Sequence, residues 1–412
     1  QGIFVVESAI DALAAESGMD PVELRRRNLL AEGDVTHYGM AMERVRARES
    51  FDRLLEKLRW GSLRAEMDSF NASHAGEKRG AAVLPNCFGV SFTKLSMNQG
   101  GALVHVYQDG SVLVSTGAVE MGQQISRKIA RIAALALGAR LDRVSVERTS
   151  TLSVANTVPT AASTGSDING MAAMAACEEI RARVLAKAAD LEGGPVSALS
   201  LSDGRLLRNG TDAGLSWEDL AAKCHEARVD LSAHGFYATP GLFYDMATER
   251  GSPFAYHVYG AACVEVTLDV LRGSYRVDRA TIVHDVGTSI DPSVDLGQIE
   301  GGFAQGLGWA LLEDLRFGDD GRLLSDTLST YKLPDAHFMP AILDVETMPE
   351  VANPRAVLNS KALGEPPLIY GIAGYFAVLD ALRAAKGRGA GGPYDLPMTP
   401  EKALDYLQGA RA

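Results

Sequence analysis

The chain has 412 residues, with 40 Lys and Arg against 52 Asp and Glu, a formal net charge of −12. With 46% hydrophobic and 22% charged residues it has the composition of a globular protein of two or three domains, not of a disordered chain. The acidic balance excludes an electrostatic footprint for nucleic acid or for an anionic membrane, and the basic run Arg25-Arg26-Arg27 is flanked by acids.

The first sixty residues read as helical, with Ile3, Val6, Ile10, Leu13 and Ala14 on one face of the first helix. Gly18 ends that helix. Asp20-Pro21-Val22-Glu23 starts the next, with Asp as N-cap and Pro at the first helical position. Opening directly on a helix at Gln1, the chain is expected to follow a portion removed by processing or carried on a separate polypeptide. From Gly80 the period changes to that of strands, the first over 80–93 with Pro85 and Asn86 as turn residues inside it. Segments 102–107 and 111–116 form a hairpin around Gln108-Asp109-Gly110. A helix over 125–137, a short strand at 144–146 and a helix over 167–188 complete an α+β unit.

A stretch at 192–214 reads as a surface excursion. Strands return at 255–268 and 275–286, followed by helices at 292–312 and 368–385. A glycine-rich mobile connection spans 386–392, and a last helix begins at Thr399-Pro400-Glu401. No stretch reads as a membrane span. The cysteines Cys87, Cys177, Cys224 and Cys263 are widely spaced, which argues against a zinc, iron–sulfur or disulfide framework and for a cytoplasmic protein.

Three loops of small and polar residues run into helices, where free N–H groups and the helix dipole favour a negative charge. They are 117–124, with Met121-Gly122-Gln123; 159–165, with Thr160, Ser163 and Thr164; and 364–367, where Pro366 holds Glu365 off the helix. The helix after Asp291-Pro292 carries Gly297, Gly301, Gly302, Gly306 and Gly308, each costing up to ~1 kcal/mol against Ala. Such a helix needs close approach of another backbone or of a planar ligand.

Seven ordered strings then resemble the molybdenum-binding part of the xanthine dehydrogenase/oxidase family. They are Phe88-Gly-Val-Ser-Phe92-Thr93, Asn98-Gln-Gly-Gly-Ala-Leu-Val-His-Val-Tyr107, Val119-Glu-Met-Gly-Gln123, Asn156-Thr-Val-Pro-Thr-Ala-Ala-Ser163, Asp295-Leu-Gly-Gln-Ile-Glu-Gly301, Ser329-Thr-Tyr-Lys-Leu-Pro334 and Ser360-Lys-Ala-Leu-Gly-Glu-Pro-Pro367. The resemblance covers essentially the whole chain. It implies mixed sheets packed with helices, divided into a helical segment 1–79 that ends a first molybdenum domain and two halves, 80–240 and 241–412, of a second.

By that resemblance a molybdopterin, or its cytosine dinucleotide, sits between domains and holds molybdenum through its dithiolene, with no protein ligand to the metal. Met121, Gly122 and Gln123 hold its phosphate region, and Thr160, Ala162, Ser163, Thr164 and Gly165 form a second wall. Gln298 reaches toward the metal's oxo group. Glu365 is the general base for attack of a water-derived oxygen on an electron-poor ring carbon of xanthine or hypoxanthine. Phe92 and Thr93 contact the substrate. Electrons leave through [2Fe-2S] clusters to FAD on partner chains or domains. Glu120, Glu300 and Asp285 are structural acids near the site, and His105 and His284 are core or loop residues.

Two departures stand out. Gln124 occupies a position where the family usually has Gly, and the upstream half of the family's molybdenum region is missing. That half carries a substrate-binding acid, an arginine and an aromatic, so this chain alone is expected to form half a site. Two other readings remain: a hydroxylase of another substrate, nicotinate-like or an aldehyde, and a non-catalytic assembly subunit.

Overall fold

The computed structural model describes residues 1–387 and 391–409, so residues 388–390 of the expected glycine-rich connection lie outside the described residues. The main sheet has four strands in the order Glu77–Val90, Tyr256–Asp269, Tyr275–His284, Ile342–Thr347, antiparallel except for the last pair. The first strand starts and ends three residues earlier than expected and runs unbroken through Pro85 and Asn86, opposite Ala261 and Gly260. It lies at the sheet edge, where a residue without an N–H removes no ladder bond.

Alternate residues of this sheet feed two cores, as a period of two requires. Ala82, Leu84, Ala262 and Val264 face the helices Pro292–Leu311 and Ile372–Lys386. Ala81, Val83, Ala261 and Cys263 face the helices Ala47–Leu58 and Trp60–Ser73. Gly80 permits a close approach, since a Cβ there would lie 2.2 Å from the carbonyl of Ala377. By length and composition Pro366–Lys386 could cross a membrane, contrary to expectation, with mean hydropathy 1.4. It is 72% buried inside the fold and packs as a core element.

A second four-stranded sheet, in the order Val144–Val146, Val112–Thr116, Gln99–Val106, Ser232–Ala238, carries the helices Ile125–Leu137 and Gly165–Glu192. The hairpin forms as expected around Gly110, at φ +80. The presumed excursion is instead a three-stranded sheet, Leu199–Ser202, Arg205–Arg208 and Thr211–Ser216. Its Leu199, Leu201 and Leu206 are buried in the second core. Helix boundaries at 125–137 and 292–311 match the reading within a residue.

The helix Gly2–Ser17 departs from its expected face. Phe4, Glu7, Ser8, Asp11 and Ala14 are buried, whereas Ile3, Val6 and Leu13 are exposed. Two of the buried residues are acids with distant partners: Glu7 pairs with Arg25 at 2.7 Å and Asp11 with Arg383 at 2.7 Å. The basic run is fully paired as well, Arg26 with Asp52 and Arg27 with Glu23. Between helices 28–46 the chain is irregular rather than helical. The fold is α+β with mixed sheets, as the sequence indicated.

Candidate functional site

The two helical layers meet at a cavity of about 500 Å3. One wall is the loop after strand Val112–Thr116. Its organiser is Glu120, whose carboxylate accepts the backbone N–H groups of Gly122 (2.9 Å), Gln124 (3.0 Å) and Ser126 (3.1 Å). Burial alone would raise its pKa, but these donors outweigh that and hold it below the usual carboxylate range. Gln123 folds back on the loop, accepting from Met121 N–H at 2.6 Å and donating to the Val119 carbonyl at 2.7 Å. Gln124 sits at φ +62, the left-handed region natural to glycine, and its side chain is not part of the cavity lining.

The second wall is the loop before helix Gly165–Glu192. Ala162 and Ser163 are both left-handed, at φ +53 and +55, a costly conformation for residues with a Cβ. Side chains stabilise it: the Thr160 hydroxyl accepts the Val119 N–H at 3.0 Å, and Thr164 donates to the Ala161 carbonyl at 3.2 Å. The helix starts at Thr164 without a side-chain cap, and Gly165 and Ser166 line the cavity. Its first turn therefore offers free N–H groups to an anion.

The third wall is the helix Pro292–Leu311. Ion pairs tie it to the helix Ile125–Leu137: Arg127 to Asp291 at 2.6 Å and Lys128 to Asp295 at 2.6 Å. Burial pushes the Asp291 carboxyl up, but Ser293, Arg127 and the Val294 N–H bring it to about 2. The glycines of this helix divide into two groups. A Cβ on Gly306 would lie 1.8 Å from the Leu368 carbonyl, on Gly302 2.9 Å from Pro367, and on Gly308 2.3 Å from Pro334. Gly297 and Gly301 face open space, and Gly301 lines the cavity beside Gln298. Both reasons expected for a glycine-rich helix thus apply, close backbone packing on one side and room for a ligand on the other.

The fourth wall is 360–365. The Glu365 N–H donates to Ser163 Oγ at 2.8 Å, which joins this wall to the second. On the other side, Asn86 Nδ2 donates to the Pro366 carbonyl at 2.9 Å. Partial burial raises the Glu365 carboxyl above its ordinary value, offset in part by the Ala162 N–H. The residue is still reached by solvent in this chain alone.

Met121, Gly122, Gln123, Thr160, Ser163, Gly165, Gln298 and Glu365 therefore line one cavity. Ala162 and Thr164 lie in the same loop but outside the lining. Phe92 and Thr93 are not brought to it: Phe92 is held by Asn98 through bonds of 2.8 Å at its N–H and its carbonyl, and Thr93 is exposed.

Sequence reasoning missed Lys128, Asp167, Gln305 and Lys361, all on the lining. Asp167 is buried and accepts from the Tyr256 hydroxyl at 2.7 Å. Burial pushes its carboxyl up to about 7, against the lowering effects of Tyr256, the Val357 N–H and Lys128. Lys361 lay inside a quoted string, but its pairing with Asp285 at 2.5 Å spans 76 residues and has no sequence signal. Asp285 is structural, as expected, and so is Glu120. His105 bonds Ser232 at 2.8 Å and His284 bonds the Tyr370 hydroxyl at 2.6 Å.

The family model for the molybdopterin cofactor-binding domain matches residues 53–340. The chain is similar to the xanthine dehydrogenase of Oryza sativa subsp. japonica, 40% identical over 98% of this chain and 29% of that protein. The xanthine dehydrogenase/oxidase of Gallus gallus is 38% identical over 98% of this chain and 28% of its own length. The chain thus spans under a third of the length of the curated relatives it matches. Among solved structures it resembles the quinoline 2-oxidoreductase of Pseudomonas putida 86 (TM-score 0.82, 24% identity, 99% of this chain and 52% of that one). It also resembles the aldehyde oxidoreductase of Desulfovibrio desulfuricans (TM-score 0.77, 26% identity, 98% of this chain and 40% of that one).

Proposed function

This chain belongs to the molybdopterin cofactor-binding domain family, and on that premise we propose that it is the C-terminal cofactor-binding portion of a hydroxylase that oxidises xanthine or hypoxanthine at a ring carbon. The observation that carries the reading is the convergence of eight residues named from sequence, Glu365 among them, on one cavity. The donor set suits a pterin bearing phosphate: an uncapped helix start at Gly165, the cation of Lys128, and Gly122 and Gly301 with no atoms crowding them. When bound, the cofactor would supply the two-electron redox centre.

The chain's own part is positioning and proton transfer. Met121, Gly122 and Gln123 would hold one end of the cofactor, and Thr160, Ser163 and Gly165 would flank it, with Ala162 and Thr164 setting the loop. Gln298 would present its amide toward the reacting end. Glu365, fixed by Ser163 on one side and by Asn86 through Pro366 on the other, would take the proton from the attacking oxygen nucleophile. A raised carboxyl pKa suits a base that works near neutral pH. The [2Fe-2S] and FAD groups, and the remaining half of the substrate pocket, would belong to the rest of a longer protein or to partner chains.

The test is Glu365→Gln in the assembled enzyme. Molybdenum content stays normal and xanthine turnover falls at least ~100-fold, the scale of general-base catalysis. A normal rate would remove Glu365 from its role. In the unaltered enzyme the deprotonated base is the active form, so activity falls as pH drops, with a midpoint above that of an ordinary glutamate. One observation favours a second reading, a hydroxylase of another heteroaromatic ring or of an aldehyde: Phe92, the aromatic assigned to substrate, is absent from the cavity lining. A panel of xanthine, nicotinate and aldehydes on the assembled enzyme separates the two.

A further inference from the structure

A second, smaller cavity of about 60 Å3 lies beside the first, and Lys361 lines both. Its floor is formed by Arg46, Tyr256, His257 and Lys361, and its rim includes Arg44 and Arg355. The chemistry of this wall is an excess of donors over acceptors. Asp285, fully buried behind it, has both oxygens taken, by Arg46 Nη1 at 2.9 Å and Lys361 Nζ at 2.5 Å. Arg46 also donates from Nε and Nη2 to Glu49 at 2.9 and 2.8 Å.

Lys361 also donates to the His257 carbonyl at 3.1 Å, which leaves one N–H of its three. His257 is 6% exposed, and among the described residues its ring nitrogens have no hydrogen-bond partner. Arg355 reaches only the Ala255 carbonyl at 3.4 Å and Glu43 at 3.9 Å. The Arg44 guanidinium has no partner among the described residues. Glu43 is the one carboxylate on the lining.

We propose that this cavity is a binding site for a small inorganic anion, held by His257, Lys361 and Arg355. His257 and Lys361 are buried with donor capacity to spare, and Arg355 stands at the rim with its side chain 39% exposed; a compact anion draws on all three through short, charge-assisted bonds. A volume of about 60 Å3 suits a small inorganic anion. The site is separate from the cofactor reading: it needs neither pterin nor metal.

Proton linkage supplies a distinctive signature. Burial, and then the charge of Lys361, hold His257 down at about 4, so it is neutral at physiological pH. The groups facing it are Arg44, Arg46, Arg355 and Lys361, with Glu43 and Asp285 as counter-charges and the neutral hydroxyls of Tyr256 and Tyr259. A bound anion favours the imidazolium, so His257 titrates at higher pH in the complex. Binding then takes up a proton, and affinity rises as pH falls.

Crystals of the full assembly soaked in bromide, and separately in sulfate, test the site. Anomalous density among His257, Lys361 and Arg355 is expected from one or both, and whichever ion appears identifies a halide or an oxyanion site. Calorimetry with the same ion should show affinity at least tenfold weaker in Arg355→Met, a substitution at the rim where the side chain is 39% exposed. His257→Asn should retain binding but lose the proton uptake. Only water in the cavity with both ions, or an affinity that neither substitution alters, overturns the proposal.

Discussion

The cavity has two kinds of wall. The wall that carries Glu365 is built by backbone interlock: Pro366–Gly371 lies directly on Gly302 and Gly306, and a Cβ on Gly371 would fall 2.0 Å from the Gly306 carbonyl carbon. The wall formed by residues 119–124 and 160–165 is built by side chains bonding to backbone, around Glu120, Gln123 and Thr160, with left-handed residues at Gln124, Ala162 and Ser163. Interlocked backbone has no soft degree of freedom, since interiors are close-packed and resist even one added methyl group. A loop held by polar bonds at the surface can yield. The arrangement thus puts the proposed base on the stiff wall and the proposed cofactor loops on the adaptable one.

The strongest way to break this contrast is to add one carbon at two places on the helix Pro292–Leu311, one under the interlock and one facing the cavity. Gly306→Ala should lower stability by about 3 kcal/mol or more, because the new Cβ meets a backbone carbonyl that cannot move aside. Gly301→Ala, five residues earlier on the same helix, meets nothing within 4 Å and should fold normally, with helix propensity slightly in its favour. Thermal unfolding of the two variants side by side decides it. Equal melting temperatures would mean that the interlock is not what holds this wall.

A subtler cut tests whether stiffness serves Glu365. Asn86 is 3% exposed and donates to the Pro366 carbonyl in this wall. Asn86→Ala leaves that buried acceptor unpaired and should cost about 1–3 kcal/mol. If the bond also fixes Glu365, kcat of the assembled enzyme falls while KM and molybdenum content hold. A loss of stability with unchanged kcat would leave Asn86 a structural residue alone.

The same contrast explains what could be read in advance. The hairpin around Gly110 and the helix Ile125–Leu137 carry their signals locally, in turn residues and a period of 3.6, and both lie where expected. The loops proposed to hold the cofactor were legible because their order along the chain is itself informative. The exposed face of Gly2–Ser17 was not, because apolar residues occur all around that helix and the decision rests on Glu7 and Asp11. Their partners Arg25 and Arg383 lie 18 and 372 residues away. The wall residues Lys128, Asp167 and Lys361 were hidden for the same reason: a buried charge is tolerated only with its partner, and theirs lie far along the chain in Asp295, Tyr256 and Asp285.

The smallest expected effect sharpens the comparison most. Gln124 replaces a glycine expected from the family resemblance, and the reason a glycine suits the position is now visible in its φ of +62. A left-handed residue with a Cβ costs about 1–2 kcal/mol, while glycine costs up to ~1 kcal/mol in chain entropy on folding. Gln124→Gly should therefore stabilise the chain by a few tenths to about 1 kcal/mol. The Gln124 side chain contributes nothing to the cavity lining, and the N–H that Glu120 holds is retained. Cofactor content should accordingly stay the same, with the gain appearing only in unfolding. A fall in melting temperature would show that the side chain anchors the loop, and this wall would then be as rigidly specified as the one opposite.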